Sequence, residues 1–397
     1  MVTLPRGVDA VPFARRARTA GAEWLEVRTD LYEGGLGGLA EVLPLLVAER
    51  GVPLSAAWRA HAHVIDVESG PVSAGEIRSL HASTPLAIGD ALANWSDQLQ
   101  GVLVKHVEPL ERLREGARLF ELQRRLAERF DQVTVLATGD AALPVRARLS
   151  VRNALEYCAL DAGSASAKGQ RLLSDVVREH RAGPLRADGR LAILGHEISH
   201  ARSPRIHRQP FDRIDLPAEH DVATLVNELE GYRGLAVTSP FKKRIFPGAT
   251  LNTLVRRGNG WETANTDVSG AAAALKKLGA REVTVLGEGG VADALREAAH
   301  SLSITLHFAK RDSLPLRGTV PERREGAHAS AFLWTWPAHL ESPALDLRGA
   351  KVGVITYGKP AHQIAARIRA SGGTPIFLGS RWFIAQARAQ RALWESA

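Results

Sequence analysis

The 397-residue sequence predicts an α/β chain of several domains, on three observations. Short apolar runs at residues 2–4, 24–27, 53–56, 63–67, 102–104 and 132–136 alternate with charged amphipathic stretches, notably 108–129. Such alternation reads as parallel strands joined by helices. A polar stretch at 179–190 containing Gly183 and Pro184 ends that pattern before a new apolar strand begins, which marks a domain boundary. After it, residues 188–263 read as one α/β unit, 280–345 as a strand–helix unit of the nucleotide-binding kind, and the remainder as a strand followed by helices.

Composition narrows the class. Hydrophobic residues make up 45% and charged residues 24%, with no apolar run long enough for a membrane span or a signal segment, so a soluble cytoplasmic protein is expected. The single cysteine, Cys158, rules out an intramolecular disulfide and a cysteine metal cluster, and no metal is expected. A net charge of +8 raises the question of nucleic acid, but the arginines are scattered and not interleaved with aromatics. Small anionic ligands suit such a surface better, and neither nucleic acid nor membrane is expected as a partner.

In the amino-terminal half, Glu26-Val-Arg-Thr-Asp30 follows a strand starting at Trp24, and period-two alternation puts Glu26, Arg28 and Asp30 on one face. Three charges on an inward face either bind a ligand or pair with one another. Lys105 closes the apolar run Gly101-Val-Leu-Val-Lys105, placing a lysine at the end of a buried strand, where a βα barrel does its chemistry. Burial disfavours the charged form, and a neutral amine is what imine formation with a ketone requires. Arg59 is read as ending the next strand, its planar fork suited to a carboxylate or hydroxyls.

In the second half, Gly234-Leu-Ala-Val-Thr-Ser-Pro-Phe-Lys242 and Ala264-Asn-Thr-Asp267 set a lysine and an aspartate at turns ahead of a glycine-rich loop. Hydride delivery to a carbonyl carbon leaves negative charge on oxygen, which Lys242 can quench with a proton while Asp267 orients it. Taken singly, Lys242 reads equally as a solvated surface charge and Asp267 as a helix N-cap. Gly287-Glu-Gly-Gly290 follows an apolar strand and opens a helix at Val291, so backbone N–H groups there can receive a pyrophosphate. Glu288 would repel phosphates unless turned away. The next strand ends in Ala309-Lys310-Arg311, basic residues that favour the 2′-phosphate of NADP over NAD.

The order of these pieces resembles the shikimate dehydrogenase family from about residue 188 onward. Ile193-Leu-Gly-His-Glu-Ile-Ser-His-Ala-Arg-Ser-Pro-Arg-Ile-His207 and Leu251-Asn-Thr-Leu-Val-Arg256 are similar to its substrate loops, Val283-Thr-Val-Leu-Gly-Glu-Gly-Gly-Val-Ala292 to its cofactor loop, and Gly379-Ser-Arg-Trp-Phe-Ile-Ala-Gln386 to its closing helix. The resemblance implies Ser203, Thr238, Asn252, Tyr357 and Gln386 as substrate contacts, with Lys242 and Asp267 as the catalytic pair. It implies NADP(H) held by Gly287, Gly289, Gly290, Val291, Lys310 and Arg311 in a Rossmann domain. Ala201 and Ala236 stand where the family has serine and asparagine, and Leu333-Trp-Thr-Trp-Pro337 replaces an Asn-Ala-Thr-Pro segment, its tryptophans free to stack on the nicotinamide or to fill a core.

More faintly, the first half resembles type I 3-dehydroquinate dehydratase. Ser79-Leu-His-Ala-Ser-Thr-Pro85 is similar to that family's histidine loop, and Ser166-Ala-Lys-Gly-Gln170 to its lid, with Lys168 in place of proline. The resemblance implies a Schiff base at Lys105, His81 as general acid/base, Arg146 on the substrate carboxylate, Glu26, Arg28 and Arg59 on its hydroxyls, and Ser166 and Gln170 closing over it. The span between Arg59 and His81 is too short for two full helices, and a glutamate-bearing loop is missing. The shortened wall could be left incomplete, lean on the second domain, or be covered in a homodimer.

The expected architecture is thus a shortened (β/α) barrel over 1–182, a shikimate-binding domain over 188–265 joined by helices at 380–397, and a Rossmann NADP-binding domain over 266–379. The expected function is consecutive dehydration of 3-dehydroquinate and NADPH-dependent reduction of 3-dehydroshikimate. Two alternatives stay open: one working domain beside a degenerate one, or a metabolite-sensing scaffold without turnover.

Overall fold

A computed structural model describes the chain except for residues 97–98, 208, 210, 247–249, 310–330, 341–344 and 397. The chain forms two compact units, Met1–Ile245 and Phe246–Ala397.

Unit one begins with strands β1 Val2–Thr3, β2 Leu25–Arg28, β3 Leu45–Ala48, β4 Val64–Val67, β5 Ile77–His81, β6 Leu103–Pro109, β7 Val133–Thr138, β8 Cys158–Ala159 and β9 Arg171–Leu172. All pair in parallel in the order β7-β6-β5-β4-β3-β2-β1-β8-β9, so the first eight run round in chain order as in a barrel. No strand ladder joins β7 to β8. Instead, Asn153 mimics a strand neighbour: its side chain accepts from Val135 N at 2.9 Å and donates to Val135 O at 3.0 Å, while Ala154 N donates to Val133 O at 2.8 Å. On the outer face of the first strands Val2, Leu4, Leu25, Val27, Leu45 and Val47 pack on helix α1 Ala10–Thr19 through Phe13, Ala14 and Ala17.

The outer layer is pared down, as the chain length predicts. Helices α2 Gly37–Ala40, α3 Ala56–His61 and α4 Ile88–Ala93 are short, and residues 68–76 between β4 and β5 form no helix. Pro71 interrupts that segment, and Gly70 and Gly75 adopt φ of +76° and +85°, backbone open chiefly to glycine. After α1, longer helices return only with α5 Gly116–Ala127, α6 Ala142–Leu149 and α7 Leu173–Ala182.

Two expectations about strands are corrected here. Residues 53–56 are not a strand: the Ser55 hydroxyl accepts from Trp58 N at 3.2 Å and caps α3, so Arg59 lies on a helix. The strand of that region is β3, eight residues earlier, whose apolar run is followed by Glu49-Arg50. Nor does Lys105 end its strand. β6 continues to Pro109, its polar His106 and Glu108 concealing the strand because they pair with each other at 2.9 Å, the carboxylate also receiving Arg118.

The chain then builds β10 Arg190–Gly195, α8 Ser203–His207, β11 Phe211–Asp215, α9 Val222–Glu228 and β12 Tyr232–Val237, with β10 parallel to both β11 and β12. A buried ionic lattice ties this segment to the barrel. Arg190, on β10 and fully buried, donates to Asp212 at 2.7 and 2.8 Å and to Glu179 of α7 at 2.9 Å. Arg171 of β9 binds the same Glu179 and lies 3.4 Å from Asp212, which also accepts from Tyr232 at 2.8 Å. This lattice joins α7 and β9 to β10, β11 and β12.

Unit two holds an antiparallel hairpin, β13 Thr253–Arg257 and β14 Gly260–Ala264, then α10 Asp267–Leu278. A parallel sheet follows from β15 Glu282–Leu286, β16 Thr305–Ala309, β17 Ala331–Trp334, β18 Lys351–Val354 and β19 Thr374–Phe377, in the order β16-β15-β17-β18-β19. Helices α11 Ala292–Leu302, α12 Lys359–Ala370 and α13 Gly379–Glu395 complete it. Val283, Val285 and Leu333 pack in one core with α10 and α11, while Phe332, Trp334 and Val352 pack in another with α12. Burial on both faces explains why these strands read as continuous apolar runs. The tryptophans of the 333–337 segment resolve as core: Trp334 is 1% and Trp336 8% exposed.

Candidate active site

Inside the barrel, parallel register sets Ser79 of β5 beside Lys105 of β6, and alternation puts His81 on the same face as Ser79. Lys105 is buried, its Nζ 2.9 Å from Asp66 Oδ2 and 3.7 Å from Glu26 Oε1, and it stands 4.3 Å over the Tyr157 ring. Asp66 is fully buried and also takes Arg50 Nη2 at 2.6 Å and the Ser79 hydroxyl at 2.5 Å. Burial alone would raise the Asp66 pKa, but Lys105 and Arg50 outweigh it and hold this carboxyl far below its usual range. His81 Nδ1 lies 2.7 Å from Glu68 Oε1. Burial, then Lys105 and Arg50, push the His81 pKa down to about 3, so the ring is neutral near pH 7.

The lid reaches this cluster through hydroxyls. Ser166 Oγ donates to Gln170 Oε1 at 3.3 Å and lies 3.4 Å from Thr3 Oγ1, which donates to Glu26 Oε2 at 2.5 Å. Ser166, Gln170, Glu26, Lys105 and His81 are thus brought to one end of the barrel. Arg28 is there too, forked onto Asp30 at 2.9 and 2.7 Å.

Two expected contacts go elsewhere. Arg59 is half-exposed and lies 4.0 Å from Glu49 on the outside of the barrel. Arg146 is buried on α6, and its Nη1 and Nη2 donate to the carbonyls of Ala137 at 3.3 Å and Tyr157 at 2.8 Å, stapling the seam between β7 and β8. Sequence reasoning missed Arg50, Asp66 and Glu68. The signal was present: a lone Asp inside the apolar strand 63–67, and an Arg two residues past the end of the run 45–48.

In the 190–245 segment, Lys242 is half-buried in a short turn, Phe241–Lys243. Ser203 opens α8, and Thr238 N donates to Leu194 O at 2.9 Å. A side chain at Gly195 would meet Thr238 Cγ2 at 2.4 Å and Ile198 Cγ2 at 2.5 Å, so glycine permits the 196–200 turn to close on Thr238.

In unit two, Asp267 is the first residue of α10 and buried. The Trp382 indole of α13 donates to its Oδ1 at 3.3 Å. Asn252 is fully buried; its Oδ1 accepts from Thr266 N at 2.8 Å, Thr253 Oγ1 at 2.9 Å and Thr266 Oγ1 at 3.0 Å. Its Nδ2 has no hydrogen-bond partner among the described residues. Tyr357 and Gln386 are half-buried, the tyrosine ring 5.8 Å from Phe383.

The parallel sheet changes direction of winding between β15 and β17, where open α/β sheets receive ligands at their carboxyl edge. The 287–290 loop lies at that point. Gly287 has φ +117°, and a Cβ there would meet Thr335 Oγ1 and Trp336 Cδ1, both at 2.7 Å. Gly289 and Gly290 face open space ahead of the 11-residue α11, so the loop fits a dinucleotide pyrophosphate. Glu288 is turned onto Arg296 of α11, which offsets its charge. Lys310 and Arg311 lie outside the described residues. No helix among the described residues is long and apolar enough to cross a membrane, and none of their side chains form a metal-holding group.

No protein-family model matches the chain. A shikimate dehydrogenase (NADP(+)) of Syntrophobacter fumaroxidans is 33% identical over 126 residues, 26% of this chain, and the match spans 44% of that relative's length. The enzyme of the same name from Acidiphilium cryptum is 31% identical over 204 residues, 45% of this chain and 71% of that protein. Among solved structures, dehydroquinate dehydratase and shikimate dehydrogenase from S. pombe AroM aligns with 100% of this chain and 95% of its own, at 20% identity and a TM-score of 0.37. Shikimate dehydrogenase from Aquifex aeolicus aligns with 53% of this chain and 93% of its own, at 18% identity and a TM-score of 0.42.

Proposed function

The chain belongs to the shikimate dehydrogenase family, and from that premise we propose that it catalyses two consecutive reactions: dehydration of 3-dehydroquinate by residues 1–182, and NADPH-dependent reduction of 3-dehydroshikimate to shikimate by the remainder. In this reading 188–265 with 380–397 bind shikimate and 266–379 bind the dinucleotide.

For the reduction, the carrying observation is the family match together with Lys242 and Asp267. When bound, the dinucleotide supplies hydride to the carbonyl carbon. Lys242 protonates the oxygen that becomes the hydroxyl. Asp267, which accepts from the Trp382 indole at Oδ1, orients the reacting hydroxyl. Asn252 Nδ2 supplies a buried donor for a substrate hydroxyl, its Oδ1 being already saturated. Ser203, Thr238, Tyr357 and Gln386 complete the polar contacts. The 2′-phosphate of NADPH is assigned to Lys310 and Arg311 on sequence grounds.

For the dehydration, the carrying observation is Lys105 buried between Asp66 and Glu26 on the face that also bears His81. Asp66 at 2.9 Å and Glu26 at 3.7 Å hold the Lys105 amine on this face, where the substrate ketone would meet it. The amine adds to the ketone and water leaves, forming an imine that acidifies the adjacent carbon. His81, neutral, removes that proton and returns one to the departing hydroxyl, which leaves as water. Hydrolysis of the imine restores Lys105. Glu26 and Arg28, with Arg50 in the role first given to Arg59, address hydroxyls and carboxylate.

The test gives the protein 3-dehydroquinate and NADPH and follows enone absorbance and NADPH loss together. Enone formation followed by NADPH consumption supports both assignments. Enone without NADPH loss leaves only the barrel working, and NADPH loss on 3-dehydroshikimate alone leaves only the reductase; binding without either signal returns the protein to a sensing role.

A further inference from the structure

We propose that a cavity beside the barrel lid is a ligand site for a small neutral molecule, mostly apolar and carrying one hydrogen-bond acceptor, and that its occupancy braces the lid. The inference does not depend on which reaction the barrel performs.

The cavity lies wholly inside unit one, at the carboxyl end of β8, and measures about 160 Å³. Leu143 of α6, Ala159 of β8, Ala162 and Ala165 after it, and Leu172 of β9 give it an apolar wall. Size sets one part of the ligand class. A dry protein cavity of ~150 Å³ takes up benzene, so this one admits a single six-membered ring.

Charge sets another part. The buried ionised groups on the wall are already paired: Arg213 with Asp175, and Asp212 with Arg190 at 2.7 Å and Arg171 at 3.4 Å. Of the exposed ones, Lys168 pairs with Asp140 at 3.0 Å and Asp215 accepts from Ile198 N at 3.0 Å. An ion entering here would shed water without gaining a counter-charge, which favours a neutral ligand. One donor is left over. Arg213 is 7% exposed, its Nη1 binds Asp175 and its Nη2 donates to Ala201 O at 3.0 Å, but its buried Nε has no hydrogen-bond partner among the described residues. A buried donor left unmet is costly, and an acceptor on the ligand relieves that cost.

The consequence falls on the lid. Residues 167–170 line the same cavity, and within the lid Gln170 Oε1 accepts from Ser166 N at 2.9 Å. Gly139 N donates to Lys168 O at 3.3 Å, and a Cβ at Gly169 would meet Ala142 Cβ and Gly139 O, both at 2.7 Å, so the loop rests closely on the 139–142 turn. An occupant adds contact to this segment, and binding to the closed form makes local opening rarer.

The test titrates the full-length protein at pH 7 with 4-fluorophenol, followed by ¹⁹F relaxation, and reads backbone hydrogen exchange by mass spectrometry. Saturable binding with a Kd of about 1 mM is expected, with fluorobenzene, which lacks the acceptor, about fivefold weaker and 4-fluorobenzoate weaker still. At a 4-fluorophenol concentration about five times Kd, exchange in the peptide spanning 166–170 should slow about sixfold. Ala162→Leu, at an exposed position that tolerates the change, fills part of the space and should abolish binding. Arg213→Lys keeps a charge for Asp175 but removes the Nε donor, and should bring 4-fluorophenol down to the affinity of fluorobenzene. The proposal is overturned by an absence of saturable binding, by binding unaltered in Ala162→Leu, by tighter binding of 4-fluorobenzoate, or by binding that leaves lid exchange unchanged.

Discussion

Asp66→Asn is the most informative perturbation of the barrel, because one carboxylate answers two buried cations. Asp66 Oδ2 lies 2.6 Å from Arg50 and 2.9 Å from Lys105, and all three side chains are at least nine-tenths buried. Among the described residues, neutralising it leaves Glu26 at 3.7 Å as the carboxylate paired with Lys105, and Glu68 at 3.4 Å, where water reaches, as the one paired with Arg50. Removing one partner of a buried ion pair costs about 3–5 kcal/mol. At about 2–4 °C per kcal/mol for a unit of this size, the transition of unit one should fall by about 6–20 °C at pH 7. Differential scanning calorimetry of wild type and variant across pH reads this directly. The sign follows from the depressed pKa of Asp66: its contribution is fully present above the unfolded carboxylate value near ~3.9 and is lost as pH falls through the lower folded value. The gap between the two proteins should therefore stay constant from pH 7 to about 5 and close in strong acid. A variant that melts within about 1 °C of wild type at pH 7 would refute the claim that this lattice carries the barrel's polar interior.

Three further outcomes are expected. Lys105→Ala should abolish dehydration and spare reduction, and Lys242→Ala should do the reverse, in single-substrate assays; loss of both activities in either variant would contradict independent sites. Gly287→Ala must place a Cβ against Thr335 and Trp336 at φ +117°, so unit two should lose about 1–3 kcal/mol and KM for NADPH should rise, measured by denaturant unfolding and steady-state kinetics. Arg59→Ala should change dehydration and stability by less than about 0.5 kcal/mol, since its only described partner is Glu49 at 4.0 Å on the surface; a large kinetic loss would return Arg59 to the site.

Much of the fold was legible because it depends on local pattern. The strands near Val2, Leu25, Val64, Val133 and Val283 bury apolar faces and announce themselves by hydrophobicity, and Gly287 marks a turn that only glycine makes without strain. β6 was read too short because paired polar residues, His106 and Glu108, look like the end of a strand until their partners are known. Residues 53–56 looked like a strand because a Ser N-cap and a short run of small and aromatic residues carry no strong period.

The sequence by itself determined the α/β class, the lysines and the aspartate that stand at chemically apt positions, and the loop and helix that suit a pyrophosphate. Only the tertiary structure decided which arginine serves the barrel: Arg50 enters the interior, Arg59 faces outward, and Arg146 is consumed by two backbone carbonyls at a seam. It also decided that α7 and β9–β12 are welded through Glu179, Arg171, Arg190 and Asp212, which are distant in sequence. The physical reason is that side-chain type and spacing set what a residue can do, whereas the partner that neutralises a buried charge is chosen by strand register and close approach in space, which a linear pattern does not carry.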